Sequence, residues 1–195
     1  MLLIEHRVNT LRHLGQVPQE RGIEIDLRDY AGRICLTHEP FEEGDDLKDL
    51  LEQYRHSLVI FNVKCDGLED RIIHLAEKFG IEDYFFLDLP VPTMVKLVQR
   101  GMSRVAVRYS EFEPVESALA FAGKAEWVWV DCFTRLPLDE KTYRILKAHF
   151  KICIVSPELQ GHGREMIPLF RRQLQGMPVD GVCTDFCGDW ESKME

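Results

Sequence analysis

Two carboxylates, Glu24 and Asp26, stand two positions apart in the apolar run Gly22–Leu27. A strand there turns both to one face. Hard oxygen ligands of this kind suit Mg²⁺ or Ca²⁺ better than a soft metal. His6 and His38 carry imidazoles that can take or give a proton near neutral pH. Arg7 offers a planar donor fork and Lys64 a compact point charge, both suited to an oxyanion. Taken singly, each feature also has a plainer explanation. A Glu-x-Asp pair is common on strand faces, a strand-end histidine is usually structural, and Arg7 and Lys64 can neutralise Glu24, Asp26 and Asp88.

These residues need elements to gather them. Eight short apolar cores recur, at Leu2–Glu5, Gly22–Leu27, Leu58–Val63, Tyr84–Leu89, Arg104–Arg108, Glu126–Asp131, Ile152–Ser156 and Gly181–Asp185. Helical patterns fill the gaps, most clearly at Leu68–Phe79, where Leu68, Ile72, Leu75, Ala76 and Phe79 share a face. Asp139 suits the cap of a helix running to Phe150. Further helices are expected at Thr10–Arg21, Asp45–Tyr54, Pro92–Arg100, Pro114–Ala122 and Arg164–Gln175. Strands alternating with helices imply a parallel sheet, and eight units predict a compact (β/α)8 TIM barrel with its active site at the C-terminal rim. After Asp26, the turn composition of Asp29–Gly32 and the apolar Ile34–Thr37 predict a β-hairpin extension of the second strand. That return carries His38 back beside Glu24 and Asp26.

The bulk numbers fit one soluble domain over residues 1–195. Its length is small for a barrel of roughly 200–250 residues, so connections must be lean. A net charge of −9 argues against a nucleic-acid or anionic-membrane partner bound through bulk electrostatics. The opening Met-Leu-Leu-Ile-Glu-His is too short and too early charged for a signal peptide, and no apolar run approaches the ~20 residues of a spanning helix. Six cysteines, Cys35, Cys65, Cys132, Cys153, Cys183 and Cys187, mostly fall in or beside strands and read as reduced, buried residues of a cytoplasmic protein.

In order and position, several fragments resemble a known family. His6-Arg7, Glu24-Ile25-Asp26 and His38-Glu39-Pro40 are similar to the signature of glycerophosphodiester phosphodiesterases, relatives of the phosphatidylinositol-specific phospholipase C-like barrels. Asn62-Val63-Lys64 stands where that family has Glu-x-Lys, and Gly181-Val182-Cys183-Thr184-Asp185 resembles its closing strand. The resemblance implies metal-dependent hydrolysis of a glycerophosphodiester-like or polyol- or sugar-linked phosphodiester. It implies His6 and His38 as the acid–base pair, Arg7 and Lys64 as phosphate-binding residues, and Glu24 and Asp26 as ligands of a divalent cation, Mg²⁺ or Ca²⁺. The partner would be a small soluble molecule.

The chain also departs from that pattern. Asn62 replaces a carboxylate expected as third metal ligand, and an amide oxygen holds a cation less strongly. Asp88, at the end of the next strand, is a candidate to compensate. Val8 stands where the family has glycine after His-Arg, so that turn must differ. Two other readings stay open: a catalytically degenerate phosphate-binding barrel, and a phosphosugar isomerase or aldolase sharing only the fold. The last expects a Schiff-base lysine or a glycine-rich phosphate loop, of which Gly161-His162-Gly163 is the nearest trace.

Overall fold

In the computed structural model, which describes residues 1–191, the predicted alternation appears as a chain-long series of strands and helices. The strands are β1 (Leu2–Glu5), β2 (Gly22–Tyr30), β3 (Arg33–Leu36), β4 (Asp45–Asp46), β5 (Leu58–Val63), β6 (Tyr84–Leu87), β7 (Ala106–Tyr109), β8 (Trp127–Val130), β9 (Lys151–Val155) and β10 (Gly181–Thr184). The helices are α1 (Leu11–Leu14), α2 (Leu47–Gln53), α3 (Glu69–Phe79), α4 (Val91–Gln99), α5 (Val115–Leu119), α6 (Glu140–Lys147), α7 (Ile167–Gln173) and α8 (Cys187–Glu191).

The described residues form two compact units, one comprising Glu5–Leu97 and the other Met1–Ile4 with the chain from Val98 onward. In the first, β2, β5 and β6 run parallel, with Asp26 opposite Asn62 and Asn62 opposite Leu87. Glu24, Asp26 and Arg28 alternate with Ile23, Ile25 and Leu27 along β2, so the polar side chains share one face. Asn62 lies on that same face, whereas Phe61 turns to the other and packs on Tyr84 and Phe86 at centroid distances of 5.2 and 5.8 Å. Burial of both faces is what a parallel sheet with crossover helices requires.

The expected hairpin is present, and longer than its apolar residues predict. β2 continues to Tyr30 and pairs antiparallel with β3, from Leu27 opposite Leu36 to Tyr30 opposite Arg33. Ala31 and Gly32 both have positive φ (51° and 80°), the geometry of a tight two-residue turn matched to strand twist. β4 then adds to β3, and Gly44 just before it has no room for a side chain. A Cβ there would lie 2.2 Å from the Leu36 carbonyl oxygen.

In the second unit the order is β1-β10-β9-β8-β7, with β10, β9, β8 and β7 parallel to their neighbours. Asp139 caps α6 as expected, its side chain accepting from Thr142 N–H at 2.7 Å. Several predicted helices contract, two of them for clear reasons. Thr10–Arg21 keeps only the turn Leu11–Leu14, ending at Gly15 ahead of Pro18. Arg164–Gln175 begins as a 3₁₀ turn and becomes α-helical only at Ile167, with Pro168 in the first turn where its missing N–H costs nothing. No disulfide joins the six cysteines; five are buried and Cys65 is half-buried.

Candidate active site

The centre of the site is the pair on β2. Glu24 and Asp26 are each 1 % exposed. Glu24 Oε2 accepts from the Arg7 backbone N–H at 2.8 Å, and Oε1 accepts from Asn62 Nδ2 at 2.7 Å. Burial pushes the Glu24 carboxyl above its ordinary pKa, and the neighbouring Asp26 charge adds to this. The charge of His6 and the bonds from Arg7 and Asn62 pull the other way. His6, half-buried, therefore lies within electrostatic reach of Glu24.

Asp26 is gripped by a residue the sequence reading passed over. Asn9 Nδ2 donates to Asp26 Oδ2, and the Asp26 backbone N–H donates to Asn9 Oδ1, both at 2.8 Å. Arg7 Nε stands 3.8 Å from Oδ2, too far for a hydrogen bond, and its side chain is half exposed. Lys64 Nζ lies 3.5 Å from Asp26 Oδ1 and donates to Asp88 Oδ2 at 2.9 Å. Asp88 thus orients a lysine here.

The backbone around these residues is unusual in two places. Arg7 (φ 51°) and Asp88 (φ 61°) both adopt the left-handed region without being glycine. The turn after β1 places its positive φ at Arg7 and leaves Val8 in ordinary geometry, with the Val8 N–H bonded to the Glu24 carbonyl at 2.8 Å. That resolves how valine replaces glycine in this loop. Strained residues of this kind concentrate at ligand and catalytic sites.

His38 reaches the same neighbourhood by its backbone. The Thr37 N–H bonds the Asp26 carbonyl at 3.0 Å, so the hairpin returns beside β2 as expected. Its ring, however, bonds Glu39 Oε1 through Nδ1 at 2.7 Å, and no hydrogen bond or ion pair joins it to Glu24 or Asp26 among the described residues. Of the six predicted site residues, His6, Arg7, Glu24, Asp26 and Lys64 form one electrostatic cluster, and His38 stands beside it.

A hard cation can be tested against this donor set. No three His, Cys, Asp or Glu side chains converge as a metal site among the described residues. Yet among the described residues two buried oxygens on the shared face, Asp26 Oδ1 and Asn62 Oδ1, accept no hydrogen bond, the first having only the Lys64 ammonium at 3.5 Å. Buried acceptors are normally satisfied. Two such oxygens beside the Glu24 carboxylate fit a hard cation, with less ligand charge than three carboxylates would provide.

In the second unit, Arg108 pairs with Asp131 and with Glu113, at 3.1 Å for the latter, and Gln160 donates to Asp131 Oδ1. Thr184 and Asp185 of the closing strand bond Glu158 Oε1 through the Thr184 hydroxyl and the Asp185 N–H. Both groups act as internal ties.

Comparison with known proteins adds the fold. No family model matches the sequence, and no curated protein matches it. Among solved structures, the chain is similar to a glycerophosphodiester phosphodiesterase from Agrobacterium tumefaciens (16 % identity, TM-score 0.65), covering 95 % of this chain and 96 % of that one. It is also similar to a glycerophosphoryl diester phosphodiesterase from Parabacteroides distasonis (12 % identity, TM-score 0.66; 94 % and 82 % covered). A mutant tryptophan synthase α-subunit from Pyrococcus furiosus follows, at 15 % identity and TM-score 0.56, with 94 % and 86 % covered. At such identities the likeness carries the fold alone: the α/β TIM-barrel class predicted from the alternation. Neighbours with different chemistries on one fold leave function to the site.

Proposed function

We propose that this chain, as one domain over residues 1–195, is a divalent-cation-assisted phosphodiesterase acting on a small glycerophosphodiester or a polyol- or sugar-linked phosphodiester. The observation carrying this reading is the buried Glu24–Asp26 pair with donorless oxygens on Asp26 and Asn62, flanked by the cations of Arg7 and Lys64. A bound Mg²⁺ or Ca²⁺, held by Glu24, Asp26 and the Asn62 amide oxygen, would draw charge from a non-bridging phosphate oxygen.

The chain's own residues supply the rest. Arg7 is loosely held and half exposed, so its fork can leave Asp26 for two phosphate oxygens. Lys64, fixed between Asp26 and Asp88, provides a second positive charge with little freedom to lose. Splitting the diester needs one proton removed from the attacking oxygen and one delivered to the departing oxygen, the work assigned to His6 and His38. Glu39 accepting from Nδ1–H leaves Nε2 as the atom of His38 that exchanges a proton. The substrate in this reading is a small soluble molecule met in the cytoplasm, and no helix among the described residues is long and apolar enough to cross a membrane.

A second reading, a phosphate-binding barrel without turnover, draws on Asn62, whose amide bonds Glu24 and adds no charge. Glycerophosphodiesters and nucleotide-linked alditols assayed with Mg²⁺, Mn²⁺ and Ca²⁺ in parallel separate the two. Phosphodiesterase action requires turnover that His6→Ala and His38→Ala abolish with little change in melting temperature. Thermal stabilisation by a phosphate compound without turnover under any metal would favour the binding barrel.

A further inference from the structure

Arg28 is the third member of the polar face of β2, two residues beyond Asp26, and its guanidinium makes a double span. Nε donates to the His38 carbonyl at 2.9 Å and Nη1 donates to the Lys64 carbonyl at 3.0 Å. The first carbonyl lies just past the end of β3 and the second just past the end of β5, two of the strands that pair with β2. Past a ladder's end a carbonyl loses its strand partner and must find another donor. One planar group supplies both, and its rigid fork fixes the two chain segments relative to each other. The same charge reaches Glu39, whose carboxyl is held below its ordinary range first by the His38 hydrogen bond, with Arg28 and Arg7 contributing. The hairpin tip has a separate anchor, Arg71, which bonds the Gly32 carbonyl at 2.7 Å and Asp29 at 3.3 Å. Arg28 thus governs the base of the hairpin, where His38 sits.

We infer that Arg28 is a positioning residue that clamps the His38-bearing end of the hairpin to the Lys64-bearing end of β5, setting the imidazole's place relative to the phosphate-binding lysine. Its catalytic consequence rests on the phosphodiesterase reading; its geometric content does not. Arg28→Ala removes both bonds, while Arg28→Lys keeps the charge but reaches one carbonyl at a time.

The test combines steady-state hydrolysis of glycerophosphocholine with Mg²⁺ and histidine-ring NMR of the same proteins. Arg28→Ala is expected to lower kcat about 10- to 100-fold with KM nearly unchanged, Arg28→Lys to recover little, and added ethylguanidinium to restore part of the loss. The His38 ring resonances should move in both variants while those of His13, on α1, and His149, just after α6, hold still. An active wild type whose Arg28→Ala variant keeps both kcat and the His38 resonances overturns the clamp. A rise in KM alone also overturns it, since that marks a substrate-binding group. A wild type inactive on every diester, with a His38 ring that still moves, counts against the phosphodiesterase reading and supports the clamp. Should Arg28→Ala fail to fold, Arg28→Lys carries the same comparisons.

Discussion

Asn9 and Asp26 exchange two hydrogen bonds of 2.8 Å, side-chain amide to carboxylate and backbone N–H to amide oxygen, across 17 residues of chain. The first loop is thereby tied to the β2 carboxylate that also faces Arg7 and Lys64. Asn9→Ala should cost about 1–3 kcal/mol, since it strips a donor from a buried carboxylate oxygen. Asn9→Asp should cost more, because it sets two carboxylates against each other. Urea denaturation of the three proteins without added metal checks the order, and Mg²⁺ should narrow the gap between Asn9→Asp and wild type.

Asn62→Asp tests the donor set directly. In the metal-free protein it removes the donor to Glu24 Oε1 and places a third carboxylate in a buried space, so the melting temperature should fall. With Mg²⁺ or Ca²⁺ the added charge becomes a ligand, and the metal-induced rise in melting temperature should exceed that of wild type. A variant with no greater metal response than wild type would remove Asn62 from the cation's shell.

Much of the fold was readable because each strand is a short apolar run closed by turn residues. Leu2–Glu5 and Leu58–Val63 coincide with their observed strands. Helix ends were harder to read where competing signals lay close together, as with Gly15 and Pro18 after Thr10. The shared face of Glu24 and Asp26 was legible from their spacing, and the return of the chain beside β2 from the hairpin's turn composition, though not the His38 ring's bond to Glu39. Asn9 and Arg28 were not, because their roles come from contacts made only after folding. A period-two reading of Glu24-x-Asp26-x-Arg28 is the one signal that points to Arg28. The positive φ of Arg7 leaves no trace in residue type, whereas Asp88 is of a type enriched there, a signal too weak to act on alone.

Glu24 links the site to pH. Its folded-state pKa is raised, chiefly by burial and then by Asp26, so the metal-free fold binds its proton more readily than the unfolded chain does. The associated stability is complete below the unfolded value of 4.5 and is lost as pH rises through the folded value. Glu24→Gln removes that dependence. With the Asn62 amide reversed, a glutamine can accept from Arg7 N–H and donate to the donorless Asn62 oxygen. The expected outcome is a metal-free variant at least as stable as wild type near neutral pH, with an advantage that shrinks on acidification towards 4.5. It should also lose the thermal response to Mg²⁺. Melting curves across pH, with and without Mg²⁺, read all three effects.

Glu111 runs in the opposite direction. Burial alone would raise its carboxyl, but bonds from its own N–H, from the Thr134 N–H and hydroxyl, and from the Arg135 N–H outweigh it and hold the pKa at about 2. A depressed folded-state value means the stabilisation is present above the unfolded value of 4.5 and is lost as pH falls towards about 2. Glu111→Gln keeps the shape and loses the charge-assisted character of these bonds. It should be less stable than wild type by about 1 kcal/mol at neutral pH, after allowance for solvent screening. The difference should fade between pH 4.5 and about 2, as the wild-type carboxylate takes up its proton. Chemical denaturation at stepped pH distinguishes this from a packing effect, because a lost contact would destabilise the variant equally at every pH.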